Sequence, residues 1–193
     1  MLVSLALAAL ALSTAAASPH FTPITSISDV TAAAGVSVRI FEQFGNSLSL
    51  DPNYPAAPEF SPVIGAPQLP TGTPSIEDWF LIPQDNSTVK IQSVLFPDMF
   101  ISYPTFGISP TPPTHSMLVL RDNANAALFN ITPINGVAHV KLRCLLVRSI
   151  KVPAVGKSLT TWATTLNDTA VPITLSDTEN SVLQIFNIVA ICK

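Results

Sequence analysis

Side chains that carry chemistry are scarce in this chain of 193 residues, which has three histidines and two cysteines. His20, His115 and His139 are far apart in sequence, and His115 follows closely on a Pro-Pro pair. All three are read as solvated or structural. No G-x-S-x-G elbow presents a nucleophile, because Gly45-Asn46-Ser47-Leu48-Ser49 ends in serine. Gly156-Lys157-Ser158 matches the end of a phosphate-binding loop, but Lys151 stands where that loop needs its first glycine. Glu77 and Asp78 are adjacent, in a loop before a strand at Trp79, whereas paired hydrolytic carboxylates face each other across a cleft. No residues are spaced as metal ligands. The expectation is a protein that is not an enzyme and uses no metal and no cofactor.

Composition narrows the partners. Nine Lys and Arg against 12 Asp and Glu give a net charge of -3, so the chain lacks the positive field a nucleic-acid binder needs. Hydrophobic residues make up 48% and charged residues 11%, well under the roughly 25% charged of ordinary soluble chains. That much apolar surface argues for a packed core and against disorder. The length fits one domain.

The first residues read as a secretory signal. An apolar run over Leu2–Leu12 leads into Ser13-Thr14-Ala15-Ala16-Ala17, where Ala15 and Ala17 have the A-x-A spacing of a cleavage site. This places a signal peptide at 1–17, a short segment at 18–32 and a single domain at 33–193. The run is too short to span a membrane, which takes about 18 or more apolar residues. A secreted, extracellular protein is expected. Export makes a disulfide between Cys144 and Cys192 the default. It also gives meaning to three N-glycosylation sequons, at Asn86, Asn130 and Asn167.

The elements that must position any site are strands. Short runs rich in Val, Ile, Thr and Phe alternate with Pro, Asn, Asp and Gly, the pattern of an all-β fold. Val38-Arg39-Ile40, Val89-Lys90-Ile91 and Val140-Lys141-Leu142 repeat one apolar-basic-apolar motif at intervals of 51 residues. Alternation of this kind places the apolar residues on a core and the basic one in water. Trp79-Phe80-Leu81-Ile82, Leu128-Phe129-Asn130-Ile131 and Ile185-Phe186-Asn187-Ile188 repeat further along each unit, with two weaker echoes between. Four strands repeated three times give units at 33–84, 86–135 and 137–192. Periodicity of this length fixes architecture. Twelve strands in three units of about 50 residues predict a β-trefoil, a six-stranded barrel capped by three hairpins; a β-sandwich or jelly roll is the alternative. In the trefoil Cys144 ends the first strand of the third unit and Cys192 its fourth. Seven prolines in 51–74 and four in 104–113 mark stiff surface loops.

With that pattern the chain resembles the ricin B-type trefoil lectins over residues 33–192. The family carries Q-x-W in the last strand of each unit, and Gln184-Ile185-Phe186 is a Q-x-F; Ala127-Leu128-Phe129 and Asp78-Trp79-Phe80 keep the aromatic. The resemblance implies a galactose site built from an Asp on the second strand and an aromatic after the third. Ser49, Ser102 and Thr160 stand at the first position, and Ala66, Arg121 and Ser176 at the second. The sugar site therefore departs from the family's. The cap-hairpin turns supply other groups: Asp122 and Asn125 in one turn, Asp177 and Asn180 in its counterpart, and Trp162 after a second strand. Asx-rich turns are also simply turn formers, and Trp162 also reads as a half-buried packing residue. The reading is a secreted lectin-like protein with a divergent site, its partners glycans or glycoproteins. The alternative is a trefoil protease inhibitor that inserts a proline-rich loop into an enzyme, and a third is a surface interaction protein with no small-ligand site.

Overall fold

Apolar residues recurring at alternate positions make most of the strands, and three large aromatic rings lie buried among them. The computed structural model describes residues 37–53, 58–69, 76–84, 87–104, 115–139, 144–163, 165, 170–179 and 181–191. The proposed signal peptide (1–17), the segment 18–32, Cys192, Asn86, Asn167, Asn180 and the Val140-Lys141-Leu142 motif lie outside them, and Cys144 is described by its backbone alone. The disulfide pairing therefore also lies outside the described residues. The elements are β1 (Val38–Glu42), β2 (Ser47–Leu50), β3 (Pro62–Ala66), β4 (Trp79–Pro83), β5 (Val89–Ser93), β6 (Met99–Ser102), β7 (Ser116–Asp122), β8 (Asn130–His139), β9 (Cys144–Val152), β10 (Lys157–Thr161), β11 (Val171–Asp177) and β12 (Phe186–Ala190). Among the described residues no helix is long and apolar enough to cross a membrane.

Six strands close on one another. β1 pairs with β12 and β4, β4 with β5, β5 bridges to Phe129 at the start of β8, β8 pairs with β9, and β9 with β12. Closing a sheet in this way covers strand edges that would otherwise template aggregation. Three valines meet three rings at the same place in each repeat: Val38 opposite Trp79, Val89 opposite Phe129 and Val147 opposite Phe186. All six side chains are buried, and the three rings are wholly so. Ile40, Leu81, Ile91, Ile131, Ile150 and Ile188 pack around them.

This register corrects the sequence reading in three places. The third copy of the valine position is Val147 in β9, not Val140. The hairpin of β8 and β9 is long, with register shifts between Thr132 and Pro133 and between Pro133 and Ala138, and it displaces the repeat. β8 runs on to His139, and Cys144 opens β9 where it was expected to end a strand. In the first unit the buried ring is Trp79, while Phe80 is half-buried. The E-x-W triplet Glu77-Asp78-Trp79, one residue upstream of the expected one, is thus the counterpart of Gln184-Ile185-Phe186.

The basic side chain of β1 also departs from expectation. Arg39 is buried, not in water: its Nε donates to Asp78 Oδ1 at 2.8 Å and its Nη1 lies 3.5 Å from Glu77 Oε1. Two carboxylates beside one guanidinium compensate a charge that could not be buried alone.

The remaining strands form three hairpins, β2–β3, β6–β7 and β10–β11. β3, β7 and β11 each pair with the other two. Pro62 lies opposite Val119, Met117 opposite Thr174 and Pro172 opposite Ile64. Pro62, Met117 and Pro172 are each 55 residues apart, and so are Ile64, Val119 and Thr174. The hairpins thus meet in one threefold register. Contact is closest at Gly65, where a Cβ would stand 2.6 Å from Val171 Cγ2.

Candidate functional site

The β10–β11 hairpin aligns Ser158 with Ser176 and Thr160 with Thr174, four hydroxyls on one face. All four residues are buried, so their hydroxyls need partners within the protein. Trp162 covers part of this face. It leaves β10 with its backbone N–H donating to Pro172 O at 3.2 Å, and its indole Nε1 donates to Thr174 Oγ1 at 2.8 Å. A fixed indole that remains 41% exposed offers an apolar face to solvent.

His115 completes the arrangement from the neighbouring unit. Its φ of 66° is left-handed, a conformation uncommon outside glycine, and its backbone N–H donates to Leu175 O at 2.8 Å. The ring is thereby set against β11, with Nδ1 3.2 Å from Ser176 Oγ. It meets the Trp162 ring edge-on, with centroids 4.9 Å apart and planes at 69°. Thr174 Oγ1 and Ser176 Oγ lie 3.4 Å apart, which links Trp162 to His115 through two hydroxyls.

A carboxylate stands at the end of the hairpin away from Trp162, in the other row of β11. Asp177 Oδ1 accepts from Lys157 Nζ at 2.8 Å; the lysine is buried and the aspartate side chain is 72% exposed. The lysine hydrogen bond and its charge, with a smaller push from His115, hold the Asp177 carboxyl below its ordinary range. Asp177 is therefore an ionised acceptor at neutral pH. The site combines an exposed indole and an imidazole, backed by the buried hydroxyls of Thr174 and Ser176, a set suited to a ligand with one apolar face and polar groups at its edge.

Other sequence candidates fall elsewhere. Asp122 and Asn125 form a closed turn, in which Asp122 Oδ1 accepts from both the backbone N–H and Nδ2 of Asn125 at 2.9 Å. These two bonds lower the Asp122 pKa. Lys90 Nζ donates to Asn123 O and Oδ1 in the same turn. The structure thus brings Trp162 together with His115, places Asp177 at the Lys157 end of the same hairpin, and leaves Asp122 and Asn125 in the turn of the second unit. Asn130 lies half-buried on β8, its Oδ1 3.5 Å from Thr132 Oγ1.

The positions where the resembled family would carry its aspartates are occupied internally. Ser49 Oγ donates to Leu50 O, Ser102 Oγ to Asn125 O, and Thr160 Oγ1 accepts from Gln184 Nε2. All three residues are buried. Sequence reasoning missed His115, Thr174, Ser176 and Lys157. The available signal was the 55-residue step, which puts Phe60-Ser61 and His115-Ser116 in the same place before a third strand. Among the described residues no group of three His, Cys, Asp or Glu could hold a metal. Of the proline-rich segments, 54–57, 70–75 and 105–114 lie outside the described residues.

No family model and no curated protein matches the chain. Solved structures do. The designed threefold-symmetric protein ThreeFoil has a TM-score of 0.61 at 9% identity, covering 80% of this chain and 99% of that one. The Macrolepiota procera ricin B-like lectin, in complex with lactose, has a TM-score of 0.58 at 14% identity over 79% and 93%. The Rhizoctonia solani agglutinin has 0.59 at 13% over 80% and 94%. The chain has the ricin B-type lectin fold as its structural likeness. Cytolethal distending toxin chains and a mosquitocidal holotoxin share it too. At these identities the likeness is one of fold.

Proposed function

We propose that this protein is a secreted, non-catalytic β-trefoil lectin whose sugar site is the Trp162–His115 surface on the hairpin of the third unit. One observation carries the reading: the Trp162 indole is fixed by Thr174, braced by His115 and 41% exposed. A pyranose lays the C–H groups of one face on an aromatic ring and shares its hydroxyls with a polar group at the ring's edge, here the imidazole. The lactose-bound Macrolepiota procera lectin shows that a chain of this fold accommodates a sugar. The 55-residue register and the closed ring of six strands support the trefoil assignment.

The test is a glycan-array screen of the secreted protein with competition by free sugar. A competed signal that Trp162→Ala reduces about tenfold or more, while thermal unfolding stays cooperative, is the expected result; that factor is about 1.4 kcal/mol. An array with no competed signal sinks the reading.

A further inference from the structure

Phe60 and His115 are 55 residues apart and occupy the same point in the threefold register of the hairpins. Their backbones agree in detail. Phe60 has φ 64° and His115 66°, and each directs its N–H to the neighbouring unit, to Leu120 O and Leu175 O, at 2.8 Å. Leu120 and Leu175 are themselves 55 residues apart. Each ring then lies on the residue that ends the outward row of the next third strand. His115 meets Ser176, and Phe60 lies under the Arg121 guanidinium, whose Cζ is 4.6 Å from the ring centroid.

The charges beside the rings do not follow the register, in which Arg121 corresponds to Ser176. At Phe60 a largely buried Arg121 faces an exposed Glu59, with Nε 3.3 Å from Oε1. No hydrogen bond of good geometry is made there, so Arg121 Nε is left unsatisfied. One face of Phe60 lies against the guanidinium, and the residue is still 52% exposed. A bulky residue in the left-handed region is costly, and strain of that kind persists where it has a use. Burial does not explain it, since half of Phe60 stays in water. The third equivalent position is Ala170, which has no ring.

We infer that Phe60, Glu59 and Arg121 form a second sugar subsite, taking a neutral pyranose on the open face of the Phe60 ring with its hydroxyls on the Glu59–Arg121 pair. The protein is thus bivalent, with Phe60 in the second subsite at the register position that His115 holds in the first, and no ring at Ala170. The ligand class rests on the carbohydrate reading of the Trp162 site; the existence of the second site rests on the Phe60 geometry. Two linked weak sites raise the apparent affinity for a surface carrying many copies of one sugar.

The experiment is a titration of the full secreted chain by calorimetry and two-dimensional NMR. The probes are the methyl pyranosides of glucose, galactose, mannose, N-acetylglucosamine and N-acetylgalactosamine. The variants are Phe60→Gly, Phe60→Tyr, Trp162→Ala and the double variant F60G/W162A. Glycine adopts the left-handed conformation without strain, so F60G removes the ring and keeps the backbone. The expected result is two ligands per wild-type chain, one for each single glycine or alanine variant, none for the double variant, and two again for F60Y. One ligand per wild-type chain, with binding untouched in F60G, overturns the second site and leaves the first. Binding of no probe up to the solubility limit overturns both.

Discussion

Glu77 and Gln184 hold the same place in different units and accept the same hydrogen bond. Glu77 Oε1 takes the N–H of Leu69 at 2.7 Å, and Gln184 Oε1 takes that of Glu179 at 2.9 Å; both donors lie three residues beyond the outward position Ala66 or Ser176. Both side chains are buried and each also holds the second strand of its unit, Glu77 through Ser47 Oγ and Gln184 through Thr160 Oγ1. The two residues pin the chain leaving each cap hairpin to the barrel strand that follows. Glu77 does this as an anion, with Arg39 as its counter-ion.

The two positions should differ in what they cost to remove. Gln184→Ala leaves polar groups unpaired, a loss of about 1–3 kcal/mol. Glu77→Ala also strips a carboxylate from the buried Arg39, and breaking a buried pair costs about 3–5 kcal/mol. Urea unfolding midpoints of the two variants are expected in that order, and Q184A as the weaker variant would contradict it.

Gly65 should not accept a side chain. A methyl group there meets Val171 Cγ2 at 2.6 Å in the pairing of β3 with β11. Gly65→Ala is expected to destabilise by about 1–3 kcal/mol through overpacking. Gly65→Ala combined with Val171→Ala should recover part of that loss in thermal unfolding, since the second change removes the clash.

The Asp177 carboxyl titrates low because Lys157 favours its charged form. A carboxylate depressed in the folded state adds stability above its unfolded pKa, and that contribution disappears as the pH falls through the folded value. Lys157→Met should return the Asp177 pKa toward the ordinary range, followed by the pH dependence of its carboxyl carbon shift in NMR. The stability difference between K157M and the wild type should shrink in acid. A difference that grows in acid would reverse the assigned sign.

The chain has two tryptophans, one wholly buried in the barrel and one half-exposed on the hairpin. Iodide should quench Trp162 and spare Trp79. Sugar binding is expected to protect the quenchable fraction, and Trp162→Phe to remove both the quenching and its protection. Protection that survives in W162F would place the ligand elsewhere.

The legible parts of the fold were those fixed by alternation. Val38 and Val89 were visible because each opens an apolar-basic-apolar triplet at the start of a short strand. The third copy was misread because the bulged hairpin of β8 and β9 carries extra residues, and Val147 lies beyond an earlier motif of the same type. The Arg39 cluster was invisible because its acids come from a loop whose fold depends on Glu77. Trp162 and Asp177 were singled out from their types. His115, which packs on Trp162, was not, since no histidine announces a positive φ and its partner lies in another unit.

The pairing of Val38 with Ala190 joins segments from nearly opposite ends of the described chain. On a ribosome, β1 emerges long before β12 and must wait with its edge unpaired until almost the whole domain has been made. Contacts this distant in sequence form slowly and leave hydrophobic strands exposed meanwhile. A chaperone bound to the nascent β1 segment would meet its need during synthesis, and truncation before β12 should yield aggregates and no partly folded barrel.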